Sequence, residues 1–359
     1  MLVHICCSVD SHFFLERLQR EFADEKLTGF FYNPNIHPYS EYRLRLLDVE
    51  RSCALLDIEL ITAEYDYETW LELTKGLESE PEKGKRCEVC FDRRFEVSAQ
   101  KAVELGEKSF TTTLLVSPLK SQQQLKKAGD EFYKQSGVKF ISVDYRSGGG
   151  TQEQSLCAKE HKLYRQDYCG CLYGLNMQRT TQDKTASELY SPIDAAVLPG
   201  SIEQRIELYE RRVQLENQDR DYEIVKERFL NYRQLHCSLS SNSEKIDVYA
   251  LHYSTLPRAI CKATITKHID HISYLSRDNV RLITLEYLNR ELLSSYATIQ
   301  ELLYNPPPLK DQLRLREIVS NSPYSLSPII VTKNTPKTKM VLRLQSRVYQ
   351  DTVERLIVL

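Results

Sequence analysis

Short apolar runs alternate with stretches of helical periodicity through the first half of the chain. Leu2–Cys7 is an apolar run of strand length, and Phe14, Leu15, Leu18 and Phe22 recur at helical spacing through Ser11–Phe22. The alternation continues with predicted strands at Gly29–Tyr32, Ile58–Tyr65, Ser109–Leu115 and Val138–Tyr145. Between them helices are predicted at Ser40–Leu56, around Trp70–Leu77, at Phe91–Leu105 and at Gln122–Gln135. Five strands separated by helices predict a parallel, doubly wound α/β sheet of the Rossmann-like kind. Sites in such sheets form beyond the carboxyl ends of the strands, at the switch point beside the first strand. Cys6 and Cys7, Asn33–Tyr39 and Ser117-Pro118 fall at such ends, while Arg86–Cys90 and Tyr164–Cys171 can fold over the same rim.

The pattern changes past Met177. A polar stretch at Arg179–Glu188 separates the halves, which predicts a domain over residues 1–178, a linker over 179–200 and a second domain over 201–359. Ile202–Leu235 reads as a long amphipathic helix broken near Asn217–Asp219. Strands are predicted at Lys245–Tyr253, Ala263–Thr266, His271–Leu275, Ser327–Val331 and Met340–Leu344, with a helix at Asn289–Leu303. The expected class is an α+β accessory domain, in which Cys237 and Cys261 are packing residues.

The 359 residues are 41% hydrophobic and 27% charged, the balance of a globular protein with room for two domains. The net charge of −2 hides an asymmetry: 23 Lys and Arg against 19 Asp and Glu from Ala195 onward, and 25 against 31 before it. Eight basic and two acidic residues lie between Asn305 and Arg347, either a phosphate-contacting surface or a solvated face. No apolar stretch reaches the roughly 18–20 residues a bilayer span needs, and the start of the chain has no signal-peptide pattern. Cytoplasmic residence without a membrane partner is expected, and paired thiols there bind metal or do redox work more often than they form disulfides.

Six of the ten cysteines stand in three pairs, Cys6-Cys7, Cys87-x-x-Cys90 and Cys169-x-Cys171. Asp10, three residues after Cys7, belongs with them. Six thiols and a carboxylate exceed what one tetrahedral zinc requires, and suit a four-cysteine iron–sulfur cluster plus one further metal. Ser8-Val9-Asp10-Ser11 follows the first strand like the tail of an ATP pyrophosphatase loop. Cys6 and Cys7 occupy the positions where that loop needs glycine, so ATP use is not expected. Gly148-Gly149-Gly150 lacks the remainder of a phosphate-loop pattern and reads as a flexible loop.

The runs HICC at 4–7, FYNPNIHPYSEYRLR at 31–45, RCEVCFDRRF at 86–95, FTTTLLVSPLKSQQQL at 110–125 and LYRQDYCGCLYG at 163–174 resemble the QueH family of epoxyqueuosine reductases. The resemblance covers roughly residues 1–176 and leaves the rest without a role. It implies a HUP/Rossmann-like fold and reduction of the epoxide of epoxyqueuosine to queuosine at the wobble base of tRNA with a GUN anticodon. It further implies a 4Fe–4S cluster, an adjacent mononuclear iron, no cobalamin, and an electron donor that the residues do not identify. Cys6, Cys7, Cys87, Cys90, Cys169 and Cys171 take the family's cysteine positions. The first of these motifs reads Cys-Cys-Ser-Val-Asp here, with Val9 where many members have proline and Asp10 as a hard ligand for the single iron. The iron would polarise the epoxide C–O bond and the cluster would deliver electrons.

Tyr32, His37, Tyr42 and Tyr164 are candidate proton donors by placement. Asn33, Asn35 and Gln166 are candidates for reading the flipped-out base, and Arg43, Arg146 and Arg165 for holding phosphates. Two other readings use the same residues: an iron–sulfur tRNA thiolase, which needs a working ATP loop, and a zinc-stabilised, non-catalytic RNA-binding protein.

Overall fold

The computed structural model describes residues 1–117, 121–189 and 197–359. Pro118 of the predicted rim and residues 190–196 of the predicted linker lie outside them. The chain forms two compact units, and the first consists chiefly of Met1–Leu189.

In the first unit the expected alternation becomes β1 (Leu2–Ile5), α1 (Ser8–Glu21), β2 (Thr28–Phe31), α2 (Tyr39–Leu55), β3 (Glu59–Thr62) and α3 (Tyr67–Leu73). It continues with α4 (Lys85–Glu104), β4 (Ser109–Thr112), α5 (Gln122–Ser136) and β5 (Lys139–Phe140), and two helices that were not expected follow, α6 (Gly150–Glu160) and α7 (Leu172–Thr181). The strands form one parallel sheet in the order β3-β2-β1-β4-β5, with Val3 opposite both Gly29 and Thr111. Leu2, Val3, His4 and Ile5 are all buried, as expected of a central strand covered on both faces. The chain leaves β1 toward β2 on one side and reaches β4 on the other, so the switch point falls where Cys6 and Cys7 follow β1. Gly148-Gly149-Gly150 is the turn that opens α6: Gly148 and Gly149 have φ of 65° and 97°. A Cβ on Gly150 would stand 1.8 Å from the Tyr145 carbonyl oxygen.

Residues 205–224, from the second half of the sequence, also pack in this unit. They include most of α8 (Ile202–Asn217). Arg212 of α8 donates to Asp48 of α2 and to the Lys162 carbonyl at 2.8 Å, and Arg51 makes a two-pronged contact with Glu216 at 2.7 Å.

The second unit consists chiefly of Val225–Arg355. Its elements are β6 (Tyr222–Ser241), β7 (Glu244–Ile246), β8 (Val248–Ala250), β9 (Ile260–Ala263), β10 (Ile265–Ile269), β11 (Ile272–Leu275) and β12 (Arg281–Thr284). Then come α9 (Leu285–Leu292), α10 (Ile299–Tyr304), α11 (Leu309–Ser320), β13 (Ile329–Thr332) and β14 (Met340–Val358). One sheet has the order β10-β11-β12-β13-β8 and the other β7-β6-β14-β9.

The class is α+β; β12 and α11 were not expected, and three expected elements differ in kind or extent. The helix expected through Leu235 ends at Asn217, and its remainder is the long strand β6, because pairing with β14 outweighs the helix propensity of its Glu, Lys and Arg residues. The helix expected at Asn289–Leu303 is two helices, with Leu293 left-handed at the end of the first (φ 56°). The strand expected at Met340–Leu344 continues to Val358. No helix among the described residues is long and apolar enough to cross a membrane.

Candidate metal centre

Each cysteine pair sits at the N-terminus of a helix. Cys7 is the N-cap residue of α1, Cys87 and Cys90 lie in the first two turns of α4, and Cys171 is the N-cap residue of α7. Unsatisfied backbone N–H groups and the positive end of the helix dipole face the sulfurs there, which favours thiolates and bound anions. The spacing of Cys87 and Cys90 puts both on one face of α4.

One cavity of about 320 Å³ opens at the carboxyl end of the sheet. Cys6, Cys7 and Asp10 line it, with Asn33, Ile36, Leu114 and Gln166 among the surrounding residues. The Cys6 and Cys7 sulfurs are 3.7 Å apart, and Cys6 Sγ is 3.3 Å from Asp10 Oδ2. Thr113, just past β4, donates to Cys6 Sγ at 3.4 Å. Gln154 of α6 donates to Asp10 Oδ1 at 2.7 Å and orients the carboxylate. The hydrogen bond with Cys6, reinforced by burial and by Asp10, pushes the Cys7 thiol well above its ordinary range. A metal that displaces these protons would relieve the crowding of one carboxylate and two sulfurs.

A second, smaller cavity of about 20 Å³ is lined by the other four cysteines, Cys87, Cys90, Cys169 and Cys171, together with Trp70, Arg86 and Arg94. Gly170 makes the turn between the last pair with φ of 99°, and a Cβ there would meet Ile36 at 2.8 Å. The turn is tied to the segment after β2: His37 N–H donates to the Gly170 carbonyl at 2.9 Å, and Asn35 to the Cys169 carbonyl at 3.2 Å. The Cys171 thiol is pushed far up by its hydrogen bond with Cys169 and by burial.

Arg86 and Arg94 border this cavity at 1% and 4% exposure. Neither makes an ion pair among the described residues, and the Nε atom of each lacks a hydrogen-bond partner. Buried guanidinium groups of this kind require a negative counterpart. Four thiols in one buried cavity with two such cations are the donor set and charge environment that an anionic iron–sulfur cluster needs. Cys169 and Arg94 line both cavities, so the two sites adjoin.

The remaining predicted residues separate into groups. Asn33, Arg165 and Gln166 line the larger cavity. Asn33 donates to the Ile5 carbonyl at 2.8 Å, while its Oδ1 and Gln166 Oε1 are buried without a partner. Arg165 is exposed at the cavity and donates to Ser155 at 2.9 Å. Asn35 instead faces the four-cysteine cavity and accepts from Arg94.

The four ring candidates do not line the larger cavity. Tyr32 donates to Asp66 at 3.0 Å and accepts from Arg93 at 3.1 Å, and burial raises its hydroxyl to about 12. Tyr42 donates to the Ala63 carbonyl at 3.3 Å and burial likewise raises it to about 12. Tyr164 donates to Glu41 at 3.0 Å. The His37 ring stacks on Tyr67 with centroids 4.7 Å apart, and burial lowers its basicity. Arg43 is exposed on α2, and the Arg146 backbone N–H donates to Asp144 at 3.0 Å.

Among the cavity residues that escaped the sequence reading are Arg45, Arg94 and Gln154. Arg94 had a signal, since it lies one turn after Cys90 on α4 and so shares the face of the cysteines. Arg45 lies within the conspicuous run at 31–45, but nothing local shows that it pairs with Glu41 at 2.7 Å and reaches the Tyr168 carbonyl at 3.0 Å. Gln154 had none, because only the packing of α6 on α1 brings it to Asp10.

A family model described as epoxyqueuosine reductase QueH matches residues 1–177. A Helicobacter pylori protein of that name is 39% identical over 365 residues, which cover 98% of each chain. A Histophilus somni protein of the same name is 39% identical over 49% of this chain and 72% of its own, and one from Thermotoga maritima is 36% identical over 50% and 92%. The second half of the chain thus has a counterpart in the Helicobacter protein. Among solved structures, a U34-tRNA thiolase from Methanococcus maripaludis with its 4Fe–4S cluster aligns at 15% identity and a TM-score of 0.32, over 60% of this chain and 72% of that one.

Proposed function

This chain belongs to the QueH family of epoxyqueuosine reductases, and from that membership we propose how its two adjoining cysteine sites share the reaction. The reaction takes the epoxide of epoxyqueuosine in tRNA to the alkene of queuosine; two electrons and two protons enter and the oxygen leaves as water. We assign Cys87, Cys90, Cys169 and Cys171 to a 4Fe–4S cluster, and Cys6, Cys7 and Asp10 to a single additional iron. When bound, the cluster supplies electrons and the iron supplies Lewis acidity toward the epoxide oxygen.

The observation that carries this reading is the position of Cys169, which lines both cavities. The substrate cavity therefore shares a wall with the four-thiol site. Arg94 offsets negative charge on that wall, and Gln154 holds Asp10 in one orientation. The substrate is a wobble base of a GUN anticodon, and it must leave the stack to reach a cavity of this kind. Asn33 Oδ1 and Gln166 Oε1 are acceptors in search of donors there, so they hydrogen-bond the extruded base, while Ile36 and Leu114 exclude water from it. Arg165 at the cavity, with Arg146, contacts flanking phosphates. Tyr32, Tyr42 and Tyr164 brace the surrounding elements through the hydrogen bonds they already make. The electron donor is a separate low-potential protein or small reductant.

The test is an anaerobic reaction of reconstituted protein with epoxyqueuosine-containing tRNA and dithionite, read by mass spectrometry of the digested nucleosides. Wild type converts epoxyqueuosine to queuosine, and Cys6→Ser and Cys87→Ser do not. Conversion by both variants at the wild-type rate would contradict the assignment.

A further inference from the structure

Away from both cysteine cavities, a third set of metal-binding side chains comes together where α6 packs on α1. Among His12, Cys157 and His161, each offers one ligand atom within 4.8 Å of the other two. His12 lies on α1, with Glu16 one turn later on the same face; Cys157 lies on α6, with His161 one turn later at its C-terminal end. One donor on α1 facing two donors spaced a helical turn apart on α6 is an arrangement that can span a metal ion between packed helices.

His12 shows the clearest sign of a missing partner. Its side chain is fully buried, its Nδ1 is fixed by Ser52 at 2.9 Å, and its Nε2 makes no hydrogen bond. A buried, unpartnered imidazole nitrogen costs free energy unless something binds it. The Ser52 contact is the kind of outer support that orients a metal-ligating histidine. Cys157 and His161 are half-buried and can move toward it.

We propose that His12, Cys157 and His161 form a zinc site that clamps α6 to α1, separate from the iron chemistry. Two imidazoles and one thiolate are a zinc donor set, and Glu16 or a water takes the fourth position. On binding, the Cys157 thiol proton leaves to solvent and the sulfur becomes the anionic ligand. Tetrahedral zinc needs its ligand atoms about 3.3–3.8 Å apart, so the two half-buried side chains close on His12 by about 1 Å. The nearby cation, Arg51, is no obstacle because Glu216 neutralises it through two contacts of 2.7 Å. The clamp bears on the site described above: Gln154, which holds Asp10, lies one turn before Cys157 on α6.

The experiment uses full-length protein reconstituted anaerobically, with its iron and sulfide content measured first. Equilibrium dialysis against chelator-buffered Zn²⁺ is then run on wild type, Cys157→Ala and His161→Asn. Wild type is expected to take up about one zinc per chain, and each variant to bind it at least tenfold more weakly at unchanged iron and sulfide. Should a variant lose its iron, Co²⁺ titration of the iron-replete wild type decides: a thiolate-to-cobalt charge-transfer band with tetrahedral d–d bands that appears with no iron released from the Cys6, Cys7 and Asp10 site supports the zinc site. Zinc uptake by folded variants with wild-type affinity, or no uptake and no cobalt bands in wild type, would overturn it.

Discussion

Arg212 and Asp48 form an ion pair in which neither side chain is exposed to solvent. Asp48 also accepts from Ser8 Oγ, next to Cys7, and from the Tyr164 N–H at 2.7 Å. One carboxylate of α2 thus joins α8, the start of α1 and the approach to the Cys169-Cys171 turn. Removing one partner of a buried pair leaves an uncompensated charge, which costs about 3–5 kcal/mol. Arg212→Met should lower stability by that order in urea unfolding, and adding Asp48→Asn should restore much of it.

Gln166 should report on the substrate. Its Oε1 is buried in the cavity wall without a partner. If it accepts a hydrogen bond from the extruded base, Gln166→Leu removes roughly 1–1.5 kcal/mol, about tenfold in kcat/KM. Iron and sulfide content should stay at the wild-type value, which separates loss of recognition from loss of the metal centre.

Arg94 should set the potential of the four-cysteine site. It is buried at 4% exposure against that cavity, with a neutral partner in Asn35. Arg94→Gln keeps a hydrogen-bonding side chain and removes the positive charge, so the reduced cluster becomes harder to form. A redox titration followed by electron paramagnetic resonance should show the midpoint moving negative, on the order of 100 mV at an effective dielectric of about 20.

The second unit should weaken in acid through His252. Burial, with Arg233 and Arg316 nearby, lowers its pKa from 6.5 to about 3. The unfolded chain binds the proton near pH 6.5 and the folded chain does not, so the stabilisation is complete above that pH and is lost as pH falls toward 3. The slope is about 1.4 kcal/mol per pH unit in that window. The ring packs edge-on against Tyr232 and Tyr253 at 4.6 Å, so His252→Phe keeps the aromatic contact and should flatten this part of the pH dependence.

The five strands of the first unit and its helices through α5 were legible because a central parallel strand such as Leu2–Ile5 is apolar but for His4 and the helices carry recurring apolar positions. Helices α6 and α7 were not expected. The convergence of the cysteine pairs was legible as a possibility, since β1 ends beside Cys6. Their partition was not, because it depends on the Gly170 turn and on where α4 begins, six residues before the expected Phe91. The side chains that orient the site, Arg45, Arg94 and Gln154, come from separate helices and are visible only once those helices pack. In the second unit, β6 carries the composition of an exposed helix, and only its long-range partner β14 makes it a strand.

The most direct test of the account is metal and sulfide content with a visible spectrum, on anaerobically reconstituted wild type, Cys7→Ser and Cys87→Ser. Wild type should hold about five iron and four sulfide per chain. Cys7→Ser should lose about one iron and keep the sulfide and the band near 400 nm, whereas Cys87→Ser should lose sulfide and band together. Stoichiometric zinc without sulfide in wild type, or loss of the cluster band in Cys7→Ser with its retention in Cys87→Ser, would contradict the assignment of the two sites.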